Sequence, residues 1–304
     1  MRRHITFIGA ASSWGAAYRG PEQAPMALWA GGLAESLQRP NCHVDWHGVI
    51  ETESAPPKHD LKLYEAYDSV VQIVSGLARE VENVMAAQPL TTPVIIGGDH
   101  SVAMGTWSGV VNALNAHKKF GLLWVDAHMD SHTPITCSQG KWGGHLHGMP
   151  LAHLLGLGDK KLCEIGSKKT KLDPRYICLV GVRSFEPAEE ELLKRLGITY
   201  FTSKDVQKQG IDAVMKQALE IVSKAPMGWG FSLDLDVFDP KDMPCVGTPE
   251  KNGVDLQSFL QNLSALKLPS FPKAIEIVEY MPGKDPEGLG IKAVEQFLWL
   301  LFKK

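Results

Sequence analysis

The chain has 304 residues, enough for one large α/β domain or two smaller ones, and it is 44% hydrophobic and 21% charged, ordinary values for a globular fold. A net charge of −3 gives no ground for nucleic acid or an anionic membrane as partner, and no apolar run reaches the roughly 18–20 residues of a membrane span. The start shows no signal-peptide pattern, and five cysteines without CxxC spacing read as reduced thiols, so a cytoplasmic location is expected.

In chain order, residues 4–9 read as a strand and 24–37 as a helix. A long helix follows at 61–87, where Val70, Val74, Leu77, Ala78, Val81 and Met85 recur at three- and four-residue spacing. Strand 93–96 leads into a helix at 101–117, and strand 121–125 comes next. The stretches 136–144 and 158–172 read as surface loops or short excursions, with Lys168–Lys171 as a solvated charge run. Strands at 176–180, 199–201, 230–235 and 273–278 then alternate with helices at 189–196, 211–223, 256–266 and 290–302. Such alternation predicts an α/β fold with a mainly parallel sheet covered by helices on both faces. Without a Ser/Gly-rich linker or internal repeat, residues 1–304 read as a single domain.

Three segments concentrate carboxylates and histidines: Asp99-His100, Asp126-Ala127-His128-Met129-Asp130 and Asp234-Leu235-Asp236. Each follows an expected strand, and strand alternation would place Asp126, His128 and Asp130 on one face, and likewise Asp234 and Asp236. Ligands of a parallel sheet bind beyond the carboxyl ends of its strands, so the three segments can meet on one rim. A single Asp there would be an ordinary helix cap or turn residue. The whole set is different, because carboxylates at close range repel and resist ionisation without a cation. Two divalent ions would meet that need. Carboxylate-rich ligation with two imidazoles suits Mn²⁺, with Co²⁺, Ni²⁺ or Zn²⁺ as possible substitutes. A metal pair can also turn a shared water into hydroxide near neutral pH.

Gly97-Gly98-Asp99-His100-Ser101, Trp124-Val125-Asp126-Ala127-His128-Met129-Asp130 and Ser232-Leu233-Asp234-Leu235-Asp236-Val237-Phe238-Asp239-Pro240 resemble the three metal-binding signatures of the ureohydrolases, the arginase–agmatinase family. The likeness runs from Ile8-Gly9-Ala10 to Glu276-Ile277-Val278-Glu279. It implies a three-layer α/β/α sandwich around a mainly parallel central sheet, assembled as a homo-oligomer, a trimer or hexamer. It also implies two Mn²⁺ per chain. His100, Asp126, Asp130 and Asp234 would hold one, and Asp126, His128, Asp234 and Asp236 the other, with Asp126 and Asp234 bridging.

The same resemblance implies that a metal-bridging hydroxide attacks the central carbon of a small cationic guanidino substrate. Asp130 would pass a proton to the leaving amine, Glu279 would pair with the guanidinium, and His147 would shuttle protons. Thr248, in Gly247-Thr248-Pro249, matches a position lining the site. The run His147-Gly148-Met149-Pro150 is typical of arginases and favours L-arginine, cleaved to L-ornithine and urea.

Departures from the arginase pattern gather where the substrate tail would lie. His132 and His145 stand where arginases carry Asn, and an imidazole can still donate to a carboxylate. Glu186 replaces an Asp, and with Glu189 it matches a segment near the substrate ammonium. The loop between the second motif and His147 is longer than usual and carries Gln139, Lys141 and Trp142. The alternative is therefore an agmatinase, or a hydrolase of another guanidino or amidino compound with a different tail. A catalytically silent member of the family would have lost ligands, whereas all six are present.

Overall fold

A computed structural model gives the structure of residues 3–52, 63–137 and 144–303. Among these residues, eight strands form one sheet: β1 (Arg3–Ala10), β2 (Cys42–Ile50), β3 (Thr91–Gly97), β4 (Gly121–Val125), β5 (Ile177–Val182), β6 (Thr199–Thr202), β7 (Trp229–Asp234) and β8 (Ile275–Val278). Their order is β2-β1-β3-β8-β7-β4-β5-β6, and every pairing is parallel. Parallel strands need crossovers, and helices supply them on both faces. Leu123, Val125, Phe231 and Leu233 belong to the core against helices Ile211–Val222, Leu256–Ala265 and Leu289–Phe302. Leu122 and Trp124 point the other way, into a core shared with helices Leu63–Ala87 and Ala103–Ala113. The result is the expected three-layer α/β/α sandwich. No helix among the described residues is long and apolar enough to cross a membrane.

Where the elements differ from expectation, a local cause is visible. β2 was not anticipated: it is an edge strand with one partner, and its mixed run His43-Val44-Asp45-Trp46-His47 lacks the apolar continuity of a buried strand. The helix expected at 24–37 is two, Ala24–Ala30 and Leu33–Leu37, because Gly31-Gly32 interrupts it and Gly32 takes φ 77°. The helix expected at 101–117 opens as a 3₁₀ turn, His100–Val102, and runs on as Ala103–Ala113. A further helix, Ser203–Gln209, starts from a capping box between Thr202 and Asp205.

The reading of 158–172 as surface loop is also corrected. It contains a short helix, Lys160–Cys163, and buries Leu162, Ile165 and Leu172. Lys171 is not part of a solvated run but 1% exposed, its Nζ donating to the carbonyls of Cys163 (2.5 Å) and Ser167 (2.6 Å). Burial pushes its pKa down to about 8.

Candidate metal centre

β3, β8, β7 and β4 are neighbours at the middle of the sheet, and their carboxyl ends carry the site. His100 follows β3, Glu279 follows β8, Asp234 ends β7, and Asp126 begins the loop after β4. The three acidic segments do converge on one rim, although not by strand alternation. β4 ends at Val125, and Asp126 Oδ1 accepts a 2.6 Å hydrogen bond from the His128 N–H. Asp234 Oδ1 likewise accepts from the Asp236 N–H (2.8 Å), turning the chain into the 3₁₀ turn Leu235–Val237. Carboxylate-to-backbone bonds two residues on are turn chemistry, which the alternation argument overlooked. Asp130 (φ 47°) and Glu279 (φ 64°) both adopt left-handed backbone, a costly conformation for residues with a Cβ, at the rim where function concentrates.

His100 Nδ1 lies 3.0 Å from Asp126 Oδ2, 3.1 Å from Asp130 Oδ2 and 3.1 Å from Asp234 Oδ2, none in hydrogen-bond geometry. His128 Nδ1 lies 3.0 Å from Asp236 Oδ2 and 3.5 Å from Asp126 Oδ1. Thus each oxygen of Asp126 faces a different imidazole. Two donor sets result, His100 with Asp126 and Asp234, and His128 with Asp126 and Asp236. One nitrogen ringed by three carboxylate oxygens has no single N–H direction that serves them all. A cation at their centre would satisfy them together, so the donor set fits a divalent-metal pair. Of the two imidazoles Asp234 meets His100, and Asp126 is the visible link between the two sets.

Burial disfavours the charged form of His100, but Asp126, Asp130 and Asp234 outweigh it and hold its pKa well above the usual imidazole range. The same contest, with Asp236 as the strongest opposing charge, raises His128. Burial and then the Asp126 charge lift the Asp130 carboxyl to about 7, while burial, Asp236 and Asp126 raise Asp234 well above its ordinary value. Asp126 moves the other way: burial raises it, but the two imidazoles override and lower it.

Hydrogen-bond accounting places a proton on His100 Nε2. Ser232 Oγ donates its one proton to Glu276 Oε2 (2.7 Å), an oxygen that also accepts from Trp107 Nε1 (3.0 Å). At its 3.0 Å contact with His100 Nε2, Ser232 must therefore accept. His100 carries a proton on Nε2 and can leave Nδ1 bare toward the carboxylates. Glu276 is the one charged residue of β8, and the sequence alone gives it no role. Asp99 was also missed. It is fully buried and accepts from Ser12 Oγ (2.9 Å), Gly15 N (3.1 Å) and Ser101 N (3.0 Å), tying the loop after β1 to the rim. A third omission is Arg183. Its guanidinium donates to the carbonyls of Asp236 (2.7 Å), Val237 (3.0 Å) and Glu250 (2.9 Å), which holds the loop after β7 in place.

A pocket opens over the cluster, and His132, His145, His147, Glu189, Thr248 and Glu279 are among its lining residues. Glu279 Oε1 accepts from the His100 N–H (3.0 Å) and meets His147 Nδ1 at 3.1 Å. Its other oxygen, Oε2, is buried with no hydrogen-bond partner. Gly247 leaves that oxygen its room, since a Cβ there would sit 2.8 Å from it. Burial works against a charged His147, but the Glu279 contact and charge raise its pKa. Thr248 Oγ1 donates to Asp236 Oδ2 (2.9 Å).

On the far wall, His132 Nε2 is 3.1 Å from Glu189 Oε2 and 3.6 Å from Glu186 Oε2. Glu186 and Glu189 also form the capping box of helix Pro187–Leu196. His145 packs edge-on against His147, ring centroids 6.0 Å apart. Gln139, Lys141 and Trp142 lie outside the described residues.

Comparison with known proteins agrees with this layout. A sequence profile of the Arginase family matches residues 3–302. An arginase from Brevibacillus brevis is 32% identical over 289 residues, covering 95% of this chain and 94% of that protein. The crystal structure of arginase from Bacillus subtilis superposes with a TM-score of 0.87 at 29% identity, covering 99% of each chain. Entamoeba histolytica arginase, crystallised in complex with L-ornithine, superposes with a TM-score of 0.84 at 28% identity, covering 100% of each chain.

Proposed function

The chain belongs to the arginase family of hydrolytic enzymes, and we propose that it hydrolyses L-arginine to L-ornithine and urea with two divalent cations bound. His100, Asp126, Asp130 and Asp234 would hold one cation and Asp126, His128, Asp234 and Asp236 the other. Mn²⁺ suits this oxygen-rich set, with Co²⁺, Ni²⁺ or Zn²⁺ as substitutes. When bound, the pair supplies the Lewis-acid charge that makes a water reactive near neutral pH.

The observation that carries the reading is Glu279 Oε2, a buried carboxylate oxygen without a hydrogen-bond partner, facing the cavity beside the cluster. A guanidinium brings planar N–H donors to such an oxygen, in the same pocket that Asp130 lines. Asp130 takes the attacking water's proton and returns it to the leaving nitrogen as the C–O bond forms and the C–N bond breaks. His147 relays protons between the cavity and solvent, and Thr248 steadies the Asp236 carboxylate. The L-ornithine bound by the Entamoeba relative supports an amino-acid tail, which His145, His132, Glu186 and Glu189 would meet.

A second reading, agmatine or another guanidino compound with a different tail, is supported by His132. Glu189 Oε2 lies 3.1 Å from its Nε2, though not in hydrogen-bond geometry, and competes with a substrate carboxylate for it. Urea release by Mn²⁺-reconstituted protein from L-arginine, agmatine and guanidino acids separates the two. Preferred turnover of L-arginine is expected. Turnover of agmatine with none of L-arginine transfers the assignment, and no urea from any of them overturns both.

A further inference from the structure

We propose that His4, His43 and Asp45 form a third divalent-metal site, for a zinc-type ion, where strands β1 and β2 begin. This site is separate from the rim described above, because parallel strands put it at the opposite end of the sheet. The register makes it. His4 pairs with His43 and Thr6 with Asp45, so the three side chains project from one face of adjoining strands.

His4 Nε2 lies 2.6 Å from Asp45 Oδ2, and His43 Nε2 approaches the same oxygen at 3.7 Å. The imidazole centroids are 4.9 Å apart, and one ligand atom from each residue lies within 4.8 Å of the others. Ligand atoms around a tetrahedral Zn²⁺ with ordinary bond lengths stand roughly 3.3 Å apart. The two nitrogen–oxygen separations bracket that value, so small side-chain rotations seat an ion. Two imidazoles and one carboxylate leave a coordination position for water, which can reach it because His4, Asp45 and His43 are 24%, 33% and 47% exposed.

The His4–Asp45 hydrogen bond must open for an ion to enter, and a second contact competes. The Gln38 amide nitrogen lies 3.5 Å from His43 Nδ1, at the outer limit of hydrogen bonding, and a modest turn of the exposed ring breaks it. The donor set favours Zn²⁺, Ni²⁺ or Cu²⁺ over the hard cations suited to the carboxylate-rich rim. An ion here would clamp β2, the outermost strand on this side, to β1.

The test uses Mn²⁺-reconstituted full-length protein, dialysed against Zn²⁺ and analysed for both metals, so that exchange at the rim leaves the total unchanged. Three divalent ions per chain are expected, falling to two in His43→Ala and in Asp45→Asn. Zn²⁺ should also raise the melting temperature of the wild type more than that of either variant. Both substituted residues are partly exposed and remote from the rim, so urea release should be unchanged and reports that the variants are folded. A total of two in the wild type, or three retained in both variants, overturns the proposal.

Discussion

Asp130 and Glu276 carry the sharpest consequences for single residues. Asp130 borders the cavity, its backbone is held left-handed, and its carboxyl titrates at about 7. Asp130→Asn keeps the shape and removes the proton carrier, so turnover should fall by roughly 10²–10⁴-fold while the circular dichroism spectrum stays native. Near-normal turnover would refute the role. Glu276 acts at a distance, through Ser232, on the His100 tautomer. In Glu276→Gln an amide N–H can donate to Ser232, whose own proton is then free to turn toward His100 Nε2. The tautomer that blocks Nδ1 becomes favourable, and Mn²⁺ affinity should drop by roughly 10–100-fold in a direct metal titration. Affinity equal to the wild type would show that Glu276 is only a buried packing group.

At the scale of elements, Lys171 shows what a charge-pattern reading leaves out. Its side chain is the common hydrogen-bond donor to two carbonyls of a segment read as solvent-facing. Lys171→Met keeps the apolar stem and leaves both acceptors unsatisfied. Chemical denaturation should show a loss of about 1–3 kcal/mol, and an unchanged midpoint would return Lys171 to the surface. Other elements follow the same division. β4 and β7 were legible because helices cover both faces, so Gly121–Val125 reads as an unbroken apolar run and Trp229–Leu233 as one broken only by Ser232. β2 was not, because an edge strand with an exposed flank has no such run. The Ser203–Gln209 helix has its start signal in Thr202 and Asp205, but its length is too short for an apolar stripe to declare itself.

For the whole molecule, the sheet order turns three distant sequence motifs into one site, since β3, β8, β7 and β4 are adjacent although their loops lie far apart in the chain. The motifs therefore named the residues that converge, while the means of convergence was hidden in side-chain-to-backbone turns at Asp126 and Asp234. The supports, Asp99, Arg183 and the Ser232–Glu276 pair, were invisible because each acts through partners remote in sequence. Asp126 is the joint of the whole arrangement, one oxygen toward each imidazole. Counting Mn²⁺ per chain after reconstitution tests this most directly. Two ions in the wild type, one in Asp236→Asn and none in Asp126→Asn are expected. Fewer than one ion in the wild type, or two retained by Asp126→Asn, would contradict a metal pair joined through that residue.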